Sequence, residues 1–382
     1  MIRIPYHRPT IGDAEFEYVR QALVSGRLSG DGAFTKRCQA ILESQTGTGR
    51  ALLTHSGTAA LELAALLGEL KPGDEVIMPS YTFTSTANAF VLRGAVPVFV
   101  DIRPDTLNLD ENLIEEAVTS RTRAIVPAHY AGVGCAMDTI VAIAKRHELI
   151  VVEDAAQALG STYRGRSLGT FGQLGIISFH ETKTVVCGEG GALLINDPSM
   201  AERAEIIREK GTNRSAFFRG MVDRYTWVDV GSSFLPSDIL AAVLLGQLES
   251  ADELTLRRHT LWNRYHTGFE ELEAAGLVRR PAIPDVCEHN AHIYWLLLPS
   301  VDVRRQVIDQ LQAAGIQAVF HYVPLHSSPA GRRFGRYDAP LPVTDDASDR
   351  ILRLPMWAEL GDAVDEVIDR VSAAVRLAVA SD

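Results

Sequence analysis

The chain has 382 residues, 46% of them hydrophobic and 22% charged, an ordinary globular composition on a chain too long for one small core. Its formal net charge of −11 argues against a nucleic-acid partner, because nothing in the overall balance offsets phosphate repulsion. No apolar run approaches the roughly 20 residues of a membrane helix, and the opening "MIRIPYHRPTIGDAEFEY" lacks the apolar core of a secretory signal, so a cytoplasmic protein is expected.

The first chemical signal along the chain is "LLTHSGTAALELAALL". Ser56, Gly57 and Thr58 follow an apolar strand end and open a helical run. Free backbone N–H groups and the positive end of a helix dipole there suit a phosphate, although Ser and Thr are also ordinary N-caps. Next come "EVIMPS" and a helix over Thr84–Leu92, then "VPVFVD" and "DENLIEEAV", then "RAIVPAHY" and "MDTIVAIAKRH", then "LIVVEDA" and a turn. Strands apolar on both sides and separated by helices predict a mainly parallel sheet covered on both faces. Ligands bind such sheets outside the carboxyl ends of the strands. The carboxylate pair Glu153 and Asp154 stands at one such end, with Gln157 one helical turn later. A carboxylate there suits a protonated ring nitrogen and an amide suits a ring oxygen; a helix N-cap is the plainer reading.

Ser178 and Lys183 lie at the exit of the buried strand "GIISF". The chain has 32 arginines and only five lysines, and one of those five stands at a strand exit beside Gly-Glu-Gly-Gly. A desolvated lysine loses its proton more easily and can form a Schiff base; a snorkelling surface lysine is the plainer alternative. Gly188, Gly190 and Gly191 read as a flexible turn passing close to a cofactor. A basic cluster follows (Arg203, Arg208, Lys210, Arg214, Arg219, Arg224), either a solvated face or an anion site. One long helical pattern then runs from about Ser237 to Ala275 and ends at Gly276, dividing a large domain (1–250) from a small one (251–382). The second part holds a strand-like "HIYWLLLP", a helix near Asp302–Ala314, a strand-like "IQAVFHYV", loops over Pro324–Pro355 and a terminal helix from about Asp362. Cys38, Cys135, Cys187 and Cys287 are scattered without CxxC spacing, so no metal site is expected and a reducing compartment fits.

A phosphate cradle, a carboxylate for a pyridinium nitrogen and a Schiff-base lysine are what a protein contributes to pyridoxal 5′-phosphate (PLP) chemistry. Each signal alone is weak; the three in this order on one sheet are specific. No G-x-G-x-x-G follows the first strand, no G-x-x-x-x-G-K occurs, and "GVGCAMD" does not match the dinucleotide pattern. A nicotinamide-dependent dehydrogenase is thereby disfavoured, and a non-catalytic regulator has no basic appendage to support it.

"SGTAAL", "PSYTFTSTANA", "VVEDAAQ", "SFHETK" with "GEGG", and "HYVPLH" resemble the DegT/DnrJ/EryC1/StrS sugar-nucleotide aminotransferases over essentially the whole chain. "GDGAFTKRC", "RGAVPVFVDIRPDT", "AEIIREKGTNRS" and "AVFHYVPLH" resemble in particular those that aminate C4 of dTDP-4-keto-6-deoxyglucose. The resemblance implies a fold-type I α/β aminotransferase, working as a homodimer with shared active sites and passing through the pyridoxamine phosphate (PMP) form. L-Glutamate would be the donor and a dTDP-4-amino-4,6-dideoxyhexose, galacto or gluco, the product. It implies that Lys183 is the Schiff-base lysine and proton shuttle, that Asp154 pairs with the pyridine nitrogen, and that Gln157 meets the ring hydroxyl. Phe83 would stack on the ring, and Ser56, Gly57, Thr58 and Ser178 would hold the phosphate. Tyr6, His321, Tyr322 and His326 would meet the sugar nucleotide. Where many members carry Gly-aromatic-Asn-aromatic-Arg, this chain has "GSSFL". Ser233 would then make part of the cross-subunit phosphate contact, with charge from Arg214 or Arg219. A same-fold sugar dehydratase typically carries histidine where Lys183 stands.

Overall fold

A computed structural model describes residues 1–381. Helices α1 (Asp13–Ser25) and α2 (Ala33–Thr46) precede β1 (Arg50–Thr54), α3 (Gly57–Leu67), β2 (Glu75–Pro79), α4 (Thr84–Val91) and β3 (Val96–Val100). The short α5 (Ile114–Ala117), β4 (Thr122–Ile125), α6 (Met137–Arg146) and β5 (Ile150–Asp154) follow. Then come β6 (Thr162–Tyr163), β7 (Arg166–Ser167), β8 (Leu174–Ser178), β9 (Gly191–Ile195), α7 (Ala201–Arg208) and α8 (Arg214–Phe218). The seven-stranded sheet has the order β1-β9-β8-β5-β4-β2-β3. β9 is antiparallel to both its neighbours, and the pairs from β8 to β3 are parallel.

Consecutive apolar residues on each strand divide between two cores. Leu53, Ile77, Val151, Ile177 and Leu194 join one cluster. Leu52, Val76, Val152, Ile176 and Leu193 join the other. This is the period-two alternation of a sheet buried on both faces, and it explains why the strands read as continuous apolar runs. α6 shows the covering logic: Met137, Ile140, Ile143 and Ala144 are buried, a spacing that puts them on one helical face.

The long helical pattern is three helices: α9 (Asp238–Glu249), α10 (Ala251–Gly268) and α11 (Glu270–Ala274). α9 is apolar nearly all round and packs against α1 and α2. α10 turns its buried face to a different core, containing Leu261, Trp262 and Tyr265, so the chain changes direction at Ser250 without interrupting the hydrophobic period. Gly276, at φ 70°, ends the run in the left-handed conformation glycine adopts readily.

The remaining elements are β10 (Cys287–Glu288), β11 (Tyr294–Leu297), α12 (Val301–Ala313), α13 (Pro329–Phe334), α14 (Pro342–Arg350), β12 (Ile351–Leu354) and α15 (Ala363–Ser381). β11 and β12 pair antiparallel. Pro324–Pro355, expected as loops, is largely α13, α14 and β12, and both helices open on a proline, which costs no hydrogen bond at that position. "IQAVFHYV" forms no strand, only single bridges from Ile316 to Ile4 and from Val319 to Arg353. The N-terminus joins this part of the molecule: Gly315 O accepts from Arg3 N and Ile4 N at 2.8 and 3.0 Å, and Ile4 enters the same core as α10, α12 and α15. That tie brings Tyr6 to the sheet. Among the described residues no helix is long and apolar enough to cross a membrane.

Candidate active site

Five segments leaving carboxyl ends of the sheet strands converge on one cavity of about 620 Å³. They are Ser56–Thr58 after β1, Tyr81–Phe83 after β2, Ala128–Tyr130 after β4, Asp154–Gln157 at the end of β5, and Ser178–Lys183 after β8. Tyr6, His292, Val319–Tyr322 and Arg353 close the opposite side.

Lys183 reaches this space from a turn in which its N–H donates to His180 O at 2.9 Å. It is half-buried and lines the cavity. Desolvation lowers its pKa to about 8; Asp154 opposes the shift and Arg353 adds to it. The amine is therefore free of its extra proton at a pH where an ordinary lysine is not. Asp154, 8% exposed, is held on both oxygens: Thr86 Oγ1 donates to Oδ2 at 2.6 Å and Ala156 N donates to Oδ1 at 3.2 Å. Its neighbour Glu153 points to the other face and accepts from three backbone N–H groups and from His129.

A cradle suited to a phosphate is built from two helix starts. Ser56 caps α3 by accepting from Ala59 N at 3.0 Å, and Thr58 Oγ1 lies 2.7 Å from Ser85 Oγ in the first turn of α4. Ser178 closes the third side, so near that a Cβ on Gly57 would stand 3.0 Å from the Ser178 Cβ. The glycine turn supports this cradle, and Glu189 within it lines the cavity. A Cβ on Gly191 would stand 2.4 Å from Ser56 O and 2.5 Å from Gly57 N, so glycine is required where the turn passes the cradle's backbone.

Phe83 is 56% exposed and lines the cavity with its ring 6.3 Å from that of Tyr322. Gln157 accepts from Ala131 N at 2.8 Å and donates to the Tyr322 hydroxyl at 2.6 Å. His321 stacks on Tyr322 at 3.7 Å, and its Nδ1 lies 2.7 Å from the Tyr130 hydroxyl; burial keeps its pKa well below the ordinary histidine value. His326 is not at the cavity. It is buried 2.7 Å from Ser80 Oγ, with Nε2 3.5 Å from Asp345, and is a structural histidine. Arg214 and Arg219 also lie outside the cavity of their own chain, paired with Glu209 at 2.6 Å and Glu205 at 2.7 Å. Ser233 is exposed, bridged to Glu209, and likewise outside it. Thr86, Ser85, His292 and Arg353 were not singled out from sequence. The first two sit inside "SYTFTST", and nothing short of the fold places the last two.

These residues fit PLP. A cradle of helix N-termini and hydroxyls, a buried carboxylate and an amine of lowered proton affinity face one space, and among the described residues no cluster suits a metal ion. The chain matches the DegT/DnrJ/EryC1/StrS aminotransferase family over residues 9–375. The chain belongs to this family. It is a sugar aminotransferase and its cofactor is PLP. It is 36% identical to the spore coat polysaccharide biosynthesis protein SpsC of Bacillus subtilis, covering 96% of each chain. It is 35% identical to GDP-perosamine synthase of Caulobacter vibrioides, covering 98% of this chain and 97% of that one. The solved PLP form of Spr1654 from Streptococcus pneumoniae superposes with a TM-score of 0.90 at 30% identity, covering 98% of this chain and 99% of the other.

One expectation follows for this aminotransferase without its cofactor. The rate at which the apo-protein takes up PLP rises with pH through a midpoint near 8, because the free-base amine is the reactive form. Stopped-flow absorbance across a pH series measures it. A midpoint near the ordinary 10.5 would contradict the desolvated lysine.

Proposed function

We propose that the protein transfers the amino group of L-glutamate to C4 of a dTDP-4-keto-6-deoxyhexose, giving a dTDP-4-amino-4,6-dideoxyhexose. The observation that carries the transamination half of this reading is that Lys183 and Asp154 line one cavity of about 620 Å³. The C4 position and the dTDP carrier are supported by "GDGAFTKRC", "RGAVPVFVDIRPDT" and "AVFHYVPLH", which resemble the enzymes of that specificity. When bound, PLP offers a carbonyl that links to amines and a ring that accepts electrons from the carbon losing its proton. Asp154, fixed by Thr86 and Ala156, keeps a proton on the ring nitrogen. Lys183 Nζ takes a proton from the donor's α-carbon and later returns one to the sugar carbon, general acid–base work worth roughly 10²–10⁴-fold. Gln157 holds the ring hydroxyl, and Ser56, Gly57, Thr58 and Ser178 hold the phosphate. Phe83 covers one face of the ring. Tyr6, His321 and Tyr322 meet the sugar.

The molecule is read as a large unit (1–250) and a small unit (251–382), a division supported by the separate core that α10, α12 and α15 share. It is read as a cytoplasmic homodimer, which the exposed Phe218, Met221, Trp227, Val228 and Val230 beside Ser233 support. In the dimer Ser233, Arg214 and Arg219 would face the partner's cavity.

A GDP-linked keto-sugar is the second reading, favoured by the similarity to GDP-perosamine synthase. The two separate in one assay: purified enzyme, L-glutamate, and dTDP-4-keto-6-deoxyglucose against GDP-4-keto-6-deoxymannose. The expected kcat/KM favours the dTDP substrate by at least roughly tenfold, and proton coupling constants of the product assign its amine to C4 and to one face. The opposite preference moves the assignment to the second reading.

A further inference from the structure

Thr82 and Thr86 are both buried, 4% and 0% exposed, and their hydroxyl oxygens lie 2.9 Å apart. Thr86 Oγ1 also lies 2.6 Å from Asp154 Oδ2. This arrangement follows from where α4 starts. Phe83, the N-cap, is extended (φ −72°, ψ 148°) and makes no side-chain cap. Thr82 precedes that cap, and its hydroxyl folds over the first turn to reach Thr86. A threonine inside a helix ordinarily turns its hydroxyl to the carbonyl one turn back. Thr86 gives its hydroxyl to a side chain at the end of β5 instead.

The direction of both hydrogen bonds is determined. An ionised carboxylate only accepts, so Thr86 donates its one hydroxyl proton to Asp154. No proton is then left for Thr82, so Thr82 donates to Thr86. The chain runs one way, from Thr82 to Thr86 to Asp154, and donation into Thr86 polarises the O–H that faces the carboxylate. Ala156 N supplies a second donor at 3.2 Å. A carboxylate beside a protonated ring in a closed site can relieve both charges by taking the ring's proton. Hydrogen bonds donated to the charged form oppose that transfer. We propose that Thr82 and Thr86 are positioning residues that act through Asp154. Their one-way pair of hydroxyls keeps the charge on the carboxylate, and so keeps the proton on the ring nitrogen of PLP. The proposal rests on the reading that Asp154 pairs with that nitrogen. It gives Thr82, one hydroxyl removed from Asp154, a share in the electron-accepting power of the ring.

The test uses holoenzyme loaded with PLP that carries nitrogen-15 in its ring. Wild type is compared with Thr86→Val, Thr86→Ser, Thr82→Val and Asp154→Asn. Valine keeps the branched shape of threonine and removes only the hydroxyl's chemistry. A retained visible cofactor band shows that each variant is folded and loaded. Solid-state NMR reads whether the ring nitrogen is protonated. In wild type its signal lies at the protonated end. In Thr86→Val it moves toward the unprotonated end, and kcat falls roughly tenfold, as expected for a hydrogen bond lost from a charged group. KM for the amino donor stays within about twofold. Thr86→Ser keeps the wild-type signal and stays within about threefold in kcat. Thr82→Val moves the signal the same way by less, with a loss of roughly twofold to fivefold. A wild-type signal in Thr86→Val, or a loss in Thr86→Ser equal to that in Thr86→Val, overturns the proposal. A wild-type signal and rate in Thr82→Val overturns the part assigned to Thr82. If Thr86→Val takes up no cofactor, Thr82→Val, which leaves the contact to Asp154 in place, decides. If Asp154→Asn keeps the wild-type signal, the reading of Asp154 falls and this proposal with it. If Asp154→Asn moves the signal and the threonine variants do not, only the role of the threonines falls.

Discussion

Lys183→Ala lowers turnover at least roughly 10⁴-fold, while the variant still takes up the amine form of the cofactor. The phosphate cradle and Asp154 are untouched by the change, so binding survives and chemistry does not. Lys183→Arg is the sharper variant. It keeps a positive charge and a long side chain, yet a guanidinium stays protonated at any working pH and cannot act as the nucleophile or carry the proton. It is expected to lose as much as Lys183→Ala. In the wild type, borohydride fixes the cofactor on Lys183, and peptide mass spectrometry finds the label there; both variants stay unlabelled. Turnover within a factor of about ten of wild type in either variant would remove Lys183 from the mechanism.

Lys183 was legible because a scarce residue type stood at a strand exit in an arginine-rich chain. The sheet was legible because adjacent pairs such as Leu52 and Leu53, or Ile176 and Ile177, have to find two separate apolar faces. The limits were equally physical. Helical periodicity continues through Ser250, so one pattern covered α9 and α10 although the chain turns there. His326 and His321 stand in one motif, but the first turns inward to Ser80 and the second lines the cavity, a choice made by backbone direction. Gly191 advertised a close approach, but only the fold shows that its neighbour is the Ser56–Gly57 backbone. Arg353 and Tyr6 lie 347 residues apart and meet because the N-terminus docks beside Gly315, which no local signal encodes.

Glu153 and Asp154 are adjacent carboxylates at one strand end, and they are expected to fail in opposite ways. Strand alternation sends them to opposite sides, and the surroundings then decide their roles. Glu153 Oε1 accepts from Phe171 N at 2.6 Å and Gly172 N at 2.7 Å. Its Oε2 accepts from Gly169 N at 2.9 Å and lies 3.0 Å from His129 Nε2. Cys135 N donates to His129 Nδ1 at 3.2 Å, so Nε2 carries the ring proton and donates too. Four donors converge on two oxygens in a site closed to water. Glu153→Gln keeps the shape but turns an NH₂ group toward one of these donor pairs, leaving at least two buried N–H groups unpaired. It is expected to destabilise the apo-protein by roughly 2–4 kcal/mol, read from urea unfolding. Asp154→Asn disturbs one hydroxyl and one amide at the cavity edge. Its stability should stay within about 1 kcal/mol of wild type, while its turnover falls because an amide cannot hold the ring nitrogen's proton. A Glu153→Gln protein as stable as wild type would mean that the Gly169–Gly172 turn does not depend on this carboxylate. The adjacent carboxylates would then have to be reassigned together, because the same strand that anchors one aims the other.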